Sequence, residues 1–183
     1  MKKIIFTTII IFLLSAHVSF AQEKMASETA GLSPTPVPLV YQLPYPGLLP
    51  DSPLYFLKIF RDRLIDFLVS NPLKKAELNL LQSDKRIAAG IALFAKDKQT
   101  LAESTISKGE NYFSDAIAKT KEAKQQGMDT KDIQQKLMLS AKKHGALIKE
   151  LEQKASKEIK PRFTILVQRV DDFEKQVDAL SKR

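Results

Sequence analysis

Hydrophobic residues recur at three- and four-residue steps from about residue 51 onward, and no segment alternates with period two. That spacing lines one face of a helix, so the pattern predicts helices and no sheet. Leu57, Phe60, Leu64, Phe67 and Leu68 form a first apolar stripe. Ser52-Pro53 reads as its start, a hydroxyl that can cap and then a proline whose missing N–H costs nothing at the first helical position. Asn71-Pro72 repeats the device and opens a second helix carrying Leu73, Ala76, Leu80, Ile87, Ile91, Phe94 and Ala95. A break is expected over 97–99. The third stripe is Ala102, Ile106, Gly109, Phe113, Ala116, Thr120 and Ala123, whose small members allow close helix approach, and Gly127 supplies the stop. Asp129 or Thr130 can cap a fourth helix with Ile133, Leu137, Ala141, His144, Ile148, Leu151 and Ala155 on its apolar side. Pro161 predicts an interruption between Ser156 and Pro161. The last stripe, Phe163, Leu166, Val170, Phe173, Val177 and Leu180, is a narrow seam of the coiled-coil kind. No helix can bury its own stripe, so the fold class expected is all-α, an antiparallel bundle of four to five helices.

The N-terminal end differs. Lys2 and Lys3 precede an apolar run over 4–14, and Ser19-Phe20-Ala21 puts small residues before a cut between Ala21 and Gln22. Residues 1–21 thus read as a signal peptide, the run being shorter than the roughly 20 residues of a membrane span. Without a twin arginine the general secretory route is expected, with a periplasmic, cell-surface or secreted destination. An uncleaved N-terminal membrane anchor is the alternative. Residues 22–50 read as a leader, mobile at first and then stiffened into extended polyproline II by Pro34, Pro36, Pro38, Pro44, Pro46 and Pro50. Residues 51–183 form the bundle domain.

Composition narrows the chemistry. The chain of 183 residues has no cysteine, which excludes disulfides, thiol catalysis, cysteine–zinc sites and a lipidated cysteine. Its net charge of +8 falls to +6 without Lys2 and Lys3. Opposite signs alternate throughout, as on solvated helix faces. The excess favours an anionic envelope partner, and no concentrated basic stripe with aromatics marks a nucleic-acid partner.

Candidate chemistry is sparse. His144 is the one histidine beyond the signal segment, and it falls on an apolar stripe. No carboxylate lies three or four positions from it, and the Glu-x-x-His and His-Glu-x-x-His metal patterns are missing. Asp171, Asp172 and Glu174 fit a solvated face better than a calcium loop, which needs a glycine-bearing turn. Ser140 and Lys143 match the Ser-x-x-Lys nucleophile motif, without its Lys-Thr-Gly partner. No catalytic, cofactor or metal residues are assigned. Tyr41 and Tyr45, set among prolines, are the candidate partner-binding residues, because a stiff aromatic segment docks at little ordering cost. Packing of Tyr45, Leu48 and Leu49 onto the bundle is the competing structural account.

The run from Pro46 through Gly47, Leu48, Leu49, Pro50, Asp51, Ser52, Pro53 and Leu54 to Tyr55, then Leu57-Lys58, resembles the opening of an uncharacterised bacterial family, domain of unknown function 5667. Asn71-Pro72 with Lys75-Ala76-Glu77-Leu78, and Lys85-Arg86-Ile87-Ala88, are similar to its second helix. The resemblance implies a helical domain after a proline-glycine entry, exported or tethered on the outer side of the membrane. It carries over no catalytic residue.

The function expected is that of an exported, non-enzymatic helical domain, a binding or structural module of the cell envelope. The alternatives are an envelope hydrolase using Ser140 and Lys143, and a metal or small-ligand bundle around His144. A monomer is expected, with a dimer through the 163–180 seam as the alternative.

Overall fold

The computed structural model describes residues 41–182, and among them the chain forms five helices and no strand. The helices are α1 (Tyr55–Leu68), α2 (Pro72–Phe94), α3 (Gln99–Gln125), α4 (Lys131–Lys154) and α5 (Lys160–Ser181). The signal segment with its Ala21/Gln22 cut, and the leader as far as residue 40, lie outside the described residues.

The punctuation follows from local chemistry. Asn71 caps α2, its Oδ1 accepting the Lys74 N–H at 3.0 Å, with Pro72 in the first turn. The α2–α3 corner turns on Asp97, held at φ 58°, a left-handed conformation that aspartate tolerates better than most residues. Gly127, at φ 79°, ends α3. Of the two cap candidates for α4, Thr130 occupies the N-cap without capping a backbone N–H, its Oγ1 accepting from Gln134 Nε2 at 2.8 Å instead, while Asp129 Oδ1 accepts the Lys131 N–H at 3.1 Å. The chain breaks after α4 and resumes with Pro161 in the first turn of α5. The start of α1 is later than Pro53. The Ser52 N–H donates to the Leu49 carbonyl at 2.9 Å, closing a turn that delays the helix to Tyr55.

The bundle is two antiparallel hairpins laid against each other. α2 and α3 form the tightest pair because Gly90 and Gly109 let the backbones approach. A Cβ at Gly90 would lie 2.3 Å from Ile106 Cγ1. The second hairpin is α4 with α5. Across the join, α3 faces α5 and α2 faces α4. Glu103 pairs with Arg162 at 3.1 Å and Glu110 with Arg169 at 3.3 Å, so α3 and α5 run parallel. The core between the hairpins centres on Phe113, whose ring lies 5.1 Å from Phe173 and 5.5 Å from His144.

The packing decides which stripes the bundle itself uses. The seam of α5 is not offered to a second copy: Phe163, Leu166, Val170, Phe173 and Val177 are buried in the chain's own core. Of the four to five helices expected in the bundle, four make the core, and α1 stands outside it.

Candidate functional site

The stripe that was expected to bury α1 faces water. Leu57, Phe60, Leu64, Phe67 and Leu68 are all exposed, together with Phe56, and the exposure reaches 71% at Phe60 and 82% at Phe67. The face turned to the bundle is the polar one. The Asp66 carboxylate pairs with Lys75 at 2.6 Å, and Arg86 donates to the Tyr55 hydroxyl at 3.0 Å. Asp62, the buried residue of α1, accepts from Arg61 at 2.7 Å. The cause lies in α2 and α3. Their flank beneath α1 carries Lys75, Asn79, Gln82, Tyr112 and Asp115, which line a gap of ≈ 220 Å³ against Asp62 and Asp66. A polar flank selects the polar side of an amphipathic helix, which leaves the apolar side with no partner among the described residues.

Cations rim this ridge. A cleft of ≈ 390 Å³ opens between α1 and the 45–48 segment, and Lys58, Arg61 and Lys85 line it with Tyr45 and Leu57. Lys58 donates to the Pro46 carbonyl at 2.6 Å, which holds the incoming chain to α1. Burial pushes its ammonium pKa down, Asp62 opposes the shift, and Arg86, Lys85 and Arg61 add to it. Arg63 stands at the other edge of the ridge. Among the described residues neither Arg63 nor Lys85 has an acidic partner.

A second polar group lies inside the bundle. Asp84 of α2 receives the Ser140 hydroxyl at 2.7 Å and the Tyr41 hydroxyl at 2.5 Å. His144 Nε2 meets the same Asp84 Oδ1 at 2.8 Å, which places its hydrogen on Nε2. Burial, then Asp84, pushes the Tyr41 phenol pKa far up. This is a serine, a histidine and an aspartate in contact, but not wired for acyl transfer. That chemistry needs the serine hydroxyl to donate to one imidazole nitrogen while the carboxylate holds the other. Here Ser140 and His144 converge on one carboxylate oxygen, and both side chains are buried. No hydrogen bond joins Lys143 to Ser140 among the described residues. The arrangement is a cross-helix tie between α2 and α4.

The tyrosine pair is split. Tyr41 is clasped to Asp84, and Leu43 beside it packs on the core. Tyr45 is 85% exposed and Leu48 is exposed as well, so neither anchors the leader as the packing account required. Asp171 pairs with Lys149 and Asp172 with Lys175. Asp84 was missed, although it stands between Leu80 and Ile87 on the apolar stripe of α2. A charged residue at such a position signals a buried partner. Glu103 and Glu110 carry the same signal beside Ile106 and Phe113.

No helix among the described residues is long and apolar enough to cross a membrane. Residues 47–158 match the family described as Domain of unknown function (DUF5667). No curated protein and no solved structure matches the chain.

Proposed function

The chain belongs to the domain of unknown function family DUF5667, and from its geometry we propose that it is an exported, non-enzymatic binding module of the cell envelope. The observation that carries this reading is the outward ridge of Phe56, Phe60 and Phe67 on α1. Isolated apolar side chains on a surface need no explanation, whereas a contiguous aromatic stripe along one helix is characteristic of a contact surface. The four-helix core acts as the rigid mount, and the polar face of α1 fixes the ridge to it. Export rests on the basic and apolar start of the chain and the small residues before Gln22.

The test is cosedimentation of the chain from Gln22 onward with isolated envelope fractions. That chain retains the whole core, whose members lie between Leu43 and Leu180. The wild type is expected to sediment, and the double variant Phe60→Ser/Phe67→Ser to stay in solution. Specific labelling of Ser140 by an acylating probe, with turnover lost in Ser140→Ala, would overturn the reading in favour of a hydrolase.

A further inference from the structure

We propose that the occupant of the α1 ridge is an anionic lipid surface, on which α1 lies in the interfacial plane with Phe56, Phe60, Leu64 and Phe67 turned into the acyl boundary. This inference rests on the binding-module reading and adds the identity of the partner.

The geometry of α1 carries the argument. At 100° per residue, Phe56, Leu57, Phe60, Leu64, Phe67 and Leu68 fall on one side of the helix. Arg63 flanks them at one edge, with Arg61 and then Lys58 at the other. An interfacial helix needs this order: an apolar face sunk at the headgroup boundary, and long cationic side chains at its margins reaching out to phosphates. The acidic residues of α1 lie elsewhere. Asp62 is buried and Asp66 is held by Lys75, so no carboxylate of α1 repels an anionic surface. The cleft beside the ridge has room for a phosphate group, with Lys58, Arg61 and Lys85 around it and Leu57 shared with the apolar face.

Charge also decides against a second copy of the chain. A symmetric pairing of two ridges brings Arg63, which has no acidic partner among the described residues, toward Arg63 of the other copy, and α1 offers no free carboxylate to neutralise it, because Asp62 is taken by Arg61 and Asp66 by Lys75. Phosphate headgroups neutralise Arg63 at one margin and Lys85 beside the cleft at the other. Shape agrees: the ridge is a single exposed helix face, which enters a fluid interface without a preformed groove.

The experiment is vesicle flotation of the chain from Gln22 onward. It uses phosphatidylglycerol–phosphatidylcholine vesicles and pure phosphatidylcholine vesicles, each at low and high salt. Binding to the anionic vesicles is expected to exceed that to the neutral ones about tenfold or more and to weaken with salt. Phe60→Ser/Phe67→Ser should abolish it, and Arg61→Glu/Arg63→Glu should erase the anionic preference. Circular dichroism on each variant confirms that the bundle is intact. Equal binding to both vesicle types overturns the proposal, as does flotation unaffected by the ridge variant. A ridge-dependent dimer in light scattering, without vesicle binding, overturns it in favour of self-association. Ridge-dependent binding to whole envelope fractions without binding to these vesicles sinks the lipid assignment and leaves the binding-module reading standing. Loss of both sinks the two together.

Discussion

His144 on α4 reaches Asp84 on α2 across sixty positions of sequence, Nε2 to Oδ1, at 2.8 Å. The contact ties one hairpin to the other at mid-height, and Ser140 and Tyr41 add two more donors to the same carboxylate. Removing the carboxylate strands all three. Asp84→Ala is therefore expected to lose about 3–5 kcal/mol of unfolding free energy, the range for breaking a buried ionic group. Tyr41→Phe removes one bond at the margin and is expected to lose about 1–2 kcal/mol. Urea unfolding measures both, and an Asp84→Ala loss no larger than that of Tyr41→Phe would contradict the shared-acceptor account.

Stability should fall as pH rises through neutrality, and Glu110 should be responsible. Its side chain is fully buried, and neither carboxyl oxygen has a hydrogen bond although Arg169 stands 3.3 Å away. Burial, partly offset by Arg169 and reinforced by Glu103, pushes its pKa up to about 8. Between the unfolded value near 4.5 and this folded value, the native state holds a proton that the unfolded chain has released. Raising pH across that window therefore favours unfolding, by a few kcal/mol at most (about 1.4 per pKa unit). Glu110→Gln should flatten the slope in melts taken across the window. A wild type whose stability does not change there would refute the assignment.

Gly90 sets the spacing of the first hairpin. Gly90→Ala places a methyl against Ile106, which is itself fully buried. The expected loss is about 1–3 kcal/mol, net of the better helix propensity of alanine. Pairing it with Ile106→Ala, which removes both the Cγ1 and the Cδ1 that the new methyl meets, should make the two losses less than additive in thermal melts, and fully additive losses would place the strain elsewhere.

The ridge should be silent in folding. Phe60→Ser and Phe67→Ser remove side chains that make little contact with the bundle, so unfolding free energy should move by no more than about 0.5 kcal/mol each. Core phenylalanines behave otherwise, and Phe113→Ala should cost about 3–5 kcal/mol. Equal losses at Phe67 and Phe113 would show that α1 is packed in solution.

The helices were legible because their punctuation is local. Asn71-Pro72, Gly127 and Pro161 each act within a few residues, and the positions they mark are where helices begin and end. The stripes on 72–180 likewise pointed inward as their period required. The period of α1 was just as clear, but periodicity gives a face and not its direction. That direction depended on the polar flank of α2 and α3, which only the assembled bundle presents. Asp84 was obscured for a related reason. No carboxylate stands within a turn of His144 on its own helix, and its partner comes from another.

The hairpin arrangement also bears on how the chain reaches its native state. Each hairpin closes through contacts between neighbours in sequence, a topology that favours rapid formation. Asp84, Glu103 and Glu110 remain in water in such halves, since His144, Arg162 and Arg169 belong to the other one. Docking therefore removes these carboxyls from solvent together and requires Glu110 to take up a proton, so docking is expected to be the slow, proton-sensitive step. Refolding in stopped flow should decelerate as pH rises, in step with the ionisation of Glu110, and Glu110→Gln should refold at a single rate throughout. A wild-type refolding rate that ignores pH would place the dehydration of Glu110 after the barrier.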